Sequence, residues 1–445
     1  MSGSRKSVLG VVFLTVFLDM VGFSVIFPLF PAMLEHYVGV EGETGLVAQL
    51  RDWLGTLASD DWAVLVLFGG LLGSLYSLLQ FLFAPLWGEL SDRHGRRPIL
   101  LITLAGTACS YVLWTFAGTF LTLVLARLVG GIMAGNISTA SAAIADTHSG
   151  RERAKGMGIM GAGIGLGFVV GPALGGMVSH FTKDLGLSGW GLNPFSVCAM
   201  VSFALAMLNL IWAYRKFPET LPAERREGSA GSRTFNPFRA LKRLDHPGVV
   251  RATLAHFLFF TTFGAMEFTL TFLAVERLGF DELRNAWMFV FVGFAIAFVQ
   301  GGVVRKLVPK HGERKLAILG MALTLPGFLF VGWAQSVGVL YLGLGLLAVG
   351  SAFVMPTLSA LVSRYVPADR QGLAMGVFRS MGSLARAIGP IMGGILYWKL
   401  GSWGPYVVGA AIALVPLYLA VGLPAPPLEP PVEPPVEHGS KPALV

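Results

Sequence analysis

Apolar residues run along this chain in long unbroken blocks, unlike the alternating or helix-face patterns of soluble domains. Twelve blocks are close to the roughly 20 residues that a helix needs to cross a hydrocarbon core of about 30 Å. They cover 8–34, 63–87, 98–117, 119–147, 154–179, 193–214, 252–275, 286–304, 316–334, 336–363, 371–398 and 403–422. Polar stretches stand between them. Residues 35–62 read as a long acidic loop, 215–250 as a long basic connector, and the stretch from Pro424 as a Pro-rich tail. The pattern predicts an all-α membrane protein with twelve transmembrane helices in two six-helix bundles. The expected divisions are an N-terminal bundle over 1–214, a cytoplasmic linker over 215–250, a C-terminal bundle over 251–422 and a disordered tail over 423–445.

Charge placement sets an expected orientation. With the N-terminus inside, the opposite side holds only Arg51, Lys183, Arg277, Arg284 and Lys399 of the 33 basic residues. Three arginines fall within spans, and the rest lie in the inside loops. Cytoplasmic loops carry such an excess, so both termini are expected in the cytoplasm. The same placement explains the net charge of +8 without nucleic acid as a partner. Composition agrees: 54% of residues are hydrophobic and 13% charged. A soluble chain of this length needs more polar surface than that. Cys109 and Cys198 are lone thiols within apolar runs, and no metal-ligand spacing is present. No cofactor is expected. The first apolar run is too long for a signal-peptide core, and a cell membrane is the expected location.

The chain repeats itself. Gly171-Pro172-Ala173-Leu174-Gly175-Gly176 in the fifth span matches Gly389-Pro390-Ile391-Met392-Gly393-Gly394 in the eleventh. In the same register Met157, Gly158 and Leu166 match Met375, Gly376 and Leu384. Two similar bundles can rock about a midplane site, which is how parallel-repeat transporters alternate access. Gly163, Gly167, Gly171 and Gly175 recur every four residues and line one face of a helix. Such a stripe admits a close helix neighbour, and Pro172 adds a bend.

Five ionisable residues lie deep in the spans: Asp19, Arg127, Glu267, Arg379 and Arg386. Each costs roughly 2.5–3.5 kcal/mol at a helix centre unless paired or wetted, so function is the default reading. At 1.5 Å per residue, Glu267 and Arg386 both lie about 22 Å from the inner face. Arg379 lies about 12 Å and Asp19 about 16 Å up, with Arg127 near the middle. Arg379 and Arg386 are expected on one face of span 11. In the repeat they fall on Gly161 and Phe168, and Arg127 falls on Gly345. Charge has therefore been added where the scaffold does not need it. A net positive cavity favours anionic or acidic amphipathic substrates. Arg127, Arg379 and Arg386 are the expected substrate contacts, with Arg379 holding the anionic group and Arg386 and Glu267 setting its orientation. Asp19 and Glu267 are the expected proton carriers, and His256 is a secondary one.

Between spans 2 and 3 the chain reads Gly88-Glu89-Leu90-Ser91-Asp92-Arg93-His94-Gly95-Arg96-Arg97. This resembles the signature loop of the major facilitator superfamily. A looser counterpart follows at Gly302, Arg305, Lys306, Gly312, Arg314 and Lys315. Asp19-Met20-Val21-Gly22 with Pro28 and Pro31 resembles the first-span motif of the twelve-span drug:proton antiporters, which include tetracycline exporters. Arg127 and the span 5 glycines match that group's intramembrane arginine and antiporter motif. Glu267-Phe268-Thr269-Leu270 and Arg379 to Arg386 resemble a vertebrate tetracycline-transporter-like branch, regarded as organic anion exporters. The resemblance implies that Asp92 faces the N-terminus of span 11. Asp146 is expected to pair with Arg93 or Arg96, and the two contacts together to latch the halves. Gly88, Asp92, Arg93, Gly95, Arg96, Asp146, Gly167, Gly171 and Pro172 are thus the expected gating residues.

The leading expectation is proton-coupled efflux of organic anions or amphipathic drugs by a monomer whose partners are substrate, protons and membrane lipid. A metabolite symporter or facilitator is the first alternative. A membrane enzyme would need a Cys–His pair, a Gly-x-Ser-x-Gly turn or a His-rich cluster, and none is present. A transporter-like sensor would need a signalling domain, and the short polar termini provide none.

Overall fold

In the computed structural model, residues 2–42, 45–46, 48–49, 52, 61–148, 150–182, 192–222, 246–367 and 371–425 are described. They form twelve membrane-length helical spans and, among the described residues, no strand. Span 1 comprises Ser2–Ser24, a tight turn at Phe27–Leu29 and Phe30–Glu41. Spans 2 and 3 are Asp61–His94 and Arg96–Thr115, and span 4 is broken into Phe120–Met133 and Asn136–Thr147. Spans 5, 6 and 7 are Gly150–Thr182, Ser196–Lys216 and Pro247–Leu278. Span 8 is Glu282–Phe298, a wider π-helical turn at Val299–Val304, and Arg305–His311. Spans 9 to 12 are Glu313–Gly332, Val337–Arg364, Gln371–Leu400 and Gly404–Val421.

Eleven spans are long and apolar enough to cross a membrane. Span 11 has the length, 30 residues, but carries Arg379, Arg386 and Lys399 among its glycines. It packs against spans 2, 7 and 12. Two expectations need correction. Residues 35–41 belong to the helix of span 1, not to a loop. The connector ends sooner than 250, because Pro247 starts span 7 with His246 capping it. Most of that connector and most of the tail lie outside the described residues.

Six spans pack in each half. Span 1 lies on spans 5 and 6, and span 3 on spans 4 and 6. In the second half span 7 lies on spans 11 and 12, and span 9 on spans 10 and 12. The glycine stripe explains the first of these contacts. A Cβ on Gly171 would stand 2.1 Å from the Ser24 hydroxyl, and one on Gly175 1.9 Å from the Val25 carbonyl oxygen. Gly389 and Gly393 bring span 11 close to Thr261 and Ala265 of span 7, where a Cβ would stand 3.0 and 2.8 Å from backbone atoms. The stripe therefore joins helices within a half. The halves meet where span 2 runs along span 11 and span 5 along span 8.

The repeat extends to the helix ends. Gly95 (φ 101°) precedes span 3 and Gly312 (φ 78°) precedes span 9, both in a backbone region that favours glycine. Thr119 and Ser336 cap spans 4 and 10 by accepting from the amides of Thr122 and Val339. These pairs are 217 positions apart, whereas Gly171 and Gly389 are 218 apart. The extra residue falls in the second half, between the caps and the glycines. Span 4 breaks at Ala134-Gly135 where span 10 runs on, so the register changes there.

One charged pair also repeats, with its signs exchanged. Arg96 Nε donates to Asp146 at 2.8 Å, and Arg364 Nη1 donates to both oxygens of Glu313 at 2.9 Å. Arg96 further pairs with Asp92 and donates to the Ser91 hydroxyl at 2.7 Å, while Thr220 donates to Asp146. Arg93, by contrast, pairs with Glu89 one turn away, and its side chain is 57% exposed. Asp146 is thus bound by Arg96 and not by Arg93. All these residues belong to the first half, so the expected latch between halves is, at this contact, a clamp on one bundle. Arg96→Ala should lower the stability of the detergent-purified protein by about 3 kcal/mol, because it strands two carboxylates. Arg93→Ala should change it by less than about 0.5 kcal/mol. Thermal unfolding of both variants checks this, and equal losses would refute the assignment of the clamp to Arg96.

Candidate functional site

The end of the bundle where the chain starts is called the near end below, and the end holding Glu41 and Leu278 the far end. At the far end the halves meet backbone to backbone. A Cβ on Gly70 of span 2 would stand 2.6 Å from the Pro390 oxygen of span 11. One on Gly176 of span 5 would stand 2.4 Å from the Glu282 oxygen of span 8. Phe30 of span 1 sets its ring edge-on against Phe268 of span 7 at 5.6 Å.

Below this seal lies a cavity of about 1030 Å³, its open mouth included. Span 5 contributes one wall through Gly165, Phe168 and Val169, and spans 7, 8, 10 and 11 contribute the others. The lining is mostly aliphatic and phenylalanine. Its polar groups are Glu267, Gln300, Ser351 and Arg386. Arg386 donates to Ser383 on its own helix at 3.1 Å. No ion pair closes between Glu267 and Arg386, although both face the same space. Both heads are therefore presented to the cavity, a cation and a carboxylate within an apolar shell.

Asp19 and Arg127 form a second polar cluster inside the first half, each only 4% exposed. Asp19 Oδ1 accepts from Asn136 Nδ2 at 3.1 Å, and Oδ2 has no partner. Arg127 lies over the rings of Tyr76 (4.7 Å) and Phe23 (5.8 Å), with Nε and Nη2 unbonded. A buried cation over aromatic faces gains roughly 2 kcal/mol or more. Asn136 is the first residue after the break in span 4, which turns its amide toward span 1. Sequence reasoning missed Asn136 and Tyr76. The signals were an Asn and a Tyr within apolar runs, adjoining Ala-Gly in the first case. Phe168 separates this cluster from the cavity: it lines the cavity and touches Phe23 edge-on at 5.7 Å.

Arg379 takes a different place from the one expected. It does not line the cavity with Arg386. Its Nη1 donates to Ser141 Oγ of span 4 at 2.8 Å and approaches Met160 sulfur of span 5 at 3.6 Å. Seven residues on a helix span about 10 Å along its axis, so the two arginines meet different neighbours although they lie within about 20° of one face. Arg379 thus bridges the halves on the near-end side of the cavity. His256 is buried against Phe378, ring centroids 3.9 Å apart, beside Gly382 and outside the cavity lining. Gly88 lies against Ser138 of span 4. Gly167, Gly171 and Pro172 are buried, the two glycines against span 1. The side chains of residues 371–373, where the resemblance would put the partner of Asp92, are outside the described ones.

Comparison with known proteins places these features. The Major Facilitator Superfamily family model matches residues 12–311 and 304–445. Major facilitator superfamily domain-containing protein 10 of Bos taurus is 37% identical over 94% of this chain and 93% of its own length. The class C tetracycline resistance protein of Escherichia coli is 30% identical over 90% and 93%. The crystal structure of the human organic anion transporter MFSD10 (TETRAN) aligns with a TM-score of 0.74 at 33% identity, covering 94% of this chain and 99% of that one. A bacterial homolog of the human lysosomal transporter Spinster, inward-facing and occupied, shares the fold with a TM-score of 0.64 at 15% identity. Twelve helices in two repeated bundles, the signature loop and a cavity between the halves agree with this likeness, and the chain belongs to the major facilitator superfamily of membrane transporters.

Proposed function

We propose that this transporter exchanges protons for organic anions or acidic amphipathic drugs by alternating access, moving them out of the cytoplasm. The observation that carries the reading is the composition of the cavity. An apolar shell accommodates the body of an amphipathic molecule, and Arg386 offers its anionic group a fixed charge with two parallel donors. Glu267 faces the same space and competes for Arg386 when ionised. Protonation of Glu267 releases the arginine to the substrate, and deprotonation expels the substrate. Relatives that include tetracycline resistance proteins and a human organic anion transporter support the substrate class.

Asp19 is the second candidate carrier. One of its oxygens is held by Asn136 and the other is unpartnered, so a proton has an open site. The Phe23–Phe168 contact joins its cluster to the cavity wall. Rocking of one bundle against the other would part the Gly70–Pro390 and Gly176–Glu282 contacts at the far end, with the Arg379–Ser141 bridge holding the halves together on the near-end side. Arg379 then serves closure of the near end, and Arg386 the anion. The bundles over 1–214 and 251–422 are the rocking units, joined through the connector. The excess of Lys and Arg in the near-end loops supports termini on the cytoplasmic side of a cell membrane. Nothing in this cycle needs a second subunit.

Uptake of labelled anions, cations and neutral drugs into proteoliposomes, with and without an imposed pH gradient, tests the reading. Uptake indifferent to the gradient would remove proton coupling, and uptake of sugars in place of anions would favour a metabolite facilitator. Asp19→Asn should preserve substrate binding and abolish the response to the gradient, and normal gradient-driven uptake would clear Asp19 of that role. Arg386→Ala should slow anions about tenfold or more and leave neutral compounds unchanged. Arg379→Ala should slow all classes alike. The reverse pattern would return the anion contact to Arg379.

A further inference from the structure

We infer that the π-helical turn in span 8 builds a second recognition point in the cavity, at Gln300, for a neutral hydrogen-bonding group of the substrate. The inference rests on the cavity being the substrate site.

Phe289, Val292, Gly293, Ile296 and Gln300 line the cavity from span 8. Their spacing of three and four residues is that of one α-helical face. The next residue on that face of an uninterrupted α-helix would be Val304, one turn below Gln300. The turn at Val299–Val304 is π-helical, closed by i to i+5 bonds, so residue 304 stands under residue 299. Val299 and Val304 are accordingly both buried, in one apolar cluster with Leu316, Ala352 and Phe353 of spans 9 and 10. Gln300 then has Arg305 beneath it in place of a valine, and Arg305 is exposed. The wide turn thus removes an apolar floor from the cavity and leaves a primary amide at its lower rim. Gly301 and Gly302 make the turn without crowding, since a Cβ on either would meet nothing within 4 Å.

The Gln300 amide makes no hydrogen bond among the described residues. The Ser351 hydroxyl is already given to the Ala348 carbonyl. Among the polar side chains of the lining, Gln300 is therefore the neutral one with both a donor and an acceptor to spare. A group of that kind reads amides, ketones and hydroxyls rather than charge. A substrate that carries such a group along its apolar body, away from the anionic end at Arg386, fits both points. An amide left unpaired by a plain hydrocarbon chain loses hydrogen bonding on desolvation, and this gives discrimination of about tenfold.

The test uses four probes of equal chain length: 6-octanamidohexanoate, pentadecanoate and the methyl ester of each. Binding to the purified full chain in nanodiscs is measured by calorimetry for wild type and for Gln300→Leu. Wild type should bind the amide-containing member of each pair about tenfold more tightly, and Gln300→Leu should erase that preference while leaving pentadecanoate unchanged. A thermal unfolding midpoint equal to wild type establishes that the variant is folded. Equal weakening of amide and hydrocarbon probes in Gln300→Leu, or no change in either, overturns the inference. The esters separate this outcome from the anion reading: if esters and acids bind alike while the amide preference persists, the anion reading falls and the role of Gln300 stands.

Discussion

A charge inside a bilayer must be wetted, paired or screened, and the arrangement of this molecule follows from that constraint. The five intramembrane ionisable groups are answered by four devices. Asp19 takes an amide, and Arg127 lies over two aromatic faces. Arg379 reaches a hydroxyl on the opposite bundle. Glu267 and Arg386 share a cavity without closing on each other. None of these solutions is as strong as a closed buried ion pair, and a transporter needs them weak. A fully satisfied pair would hold one state, whereas partial satisfaction leaves a substrate or proton something to complete.

The glycines set the other half of the design. Spans 1 and 5, and spans 7 and 11, touch through backbone, so each pair is closely seated. The contacts between bundles are also backbone close at the far end, and span 2 runs along span 11 as extensively as span 7 does. Two long seams, span 2 on span 11 and span 5 on span 8, are thus the surfaces on which one bundle can rock against the other.

Helix count, the repeat and the signature loop were legible in the sequence because each depends on local pattern: span length, glycine spacing, a charged turn. The family follows from the same residues. Side-chain direction was legible only in part. Depth along the helix axis brought Glu267 and Arg386 to one level, and they do face one cavity. The same arithmetic put Arg379 about 10 Å nearer the inner face, on the same face of the helix as Arg386, and there it meets Ser141 of the other half and not the cavity. Asn136 was hidden because its role arises from a helix break, and the π-helical turn because i to i+5 bonding leaves no mark on an apolar run. Asp146 was expected on Arg93 or Arg96 and pairs with Arg96; the two arginines are separated by how far each points from the bundle and not by sequence.

The exchanged signs of Arg96–Asp146 and Glu313–Arg364 bear on how such a chain assembles. Two halves with the same span order, the same caps and the same glycine seams offer each helix two near-equivalent docking places. If span 3 docked on span 10 during insertion, Arg96 would face Arg364. If span 9 docked on span 4, Glu313 would face Asp146. Either mistake brings like charges together in a partly desolvated place, at a cost of several kcal/mol, while both correct pairings attract. Mismatched polarity of this kind lets a duplicated protein tell its first copy from its second as it leaves the ribosome.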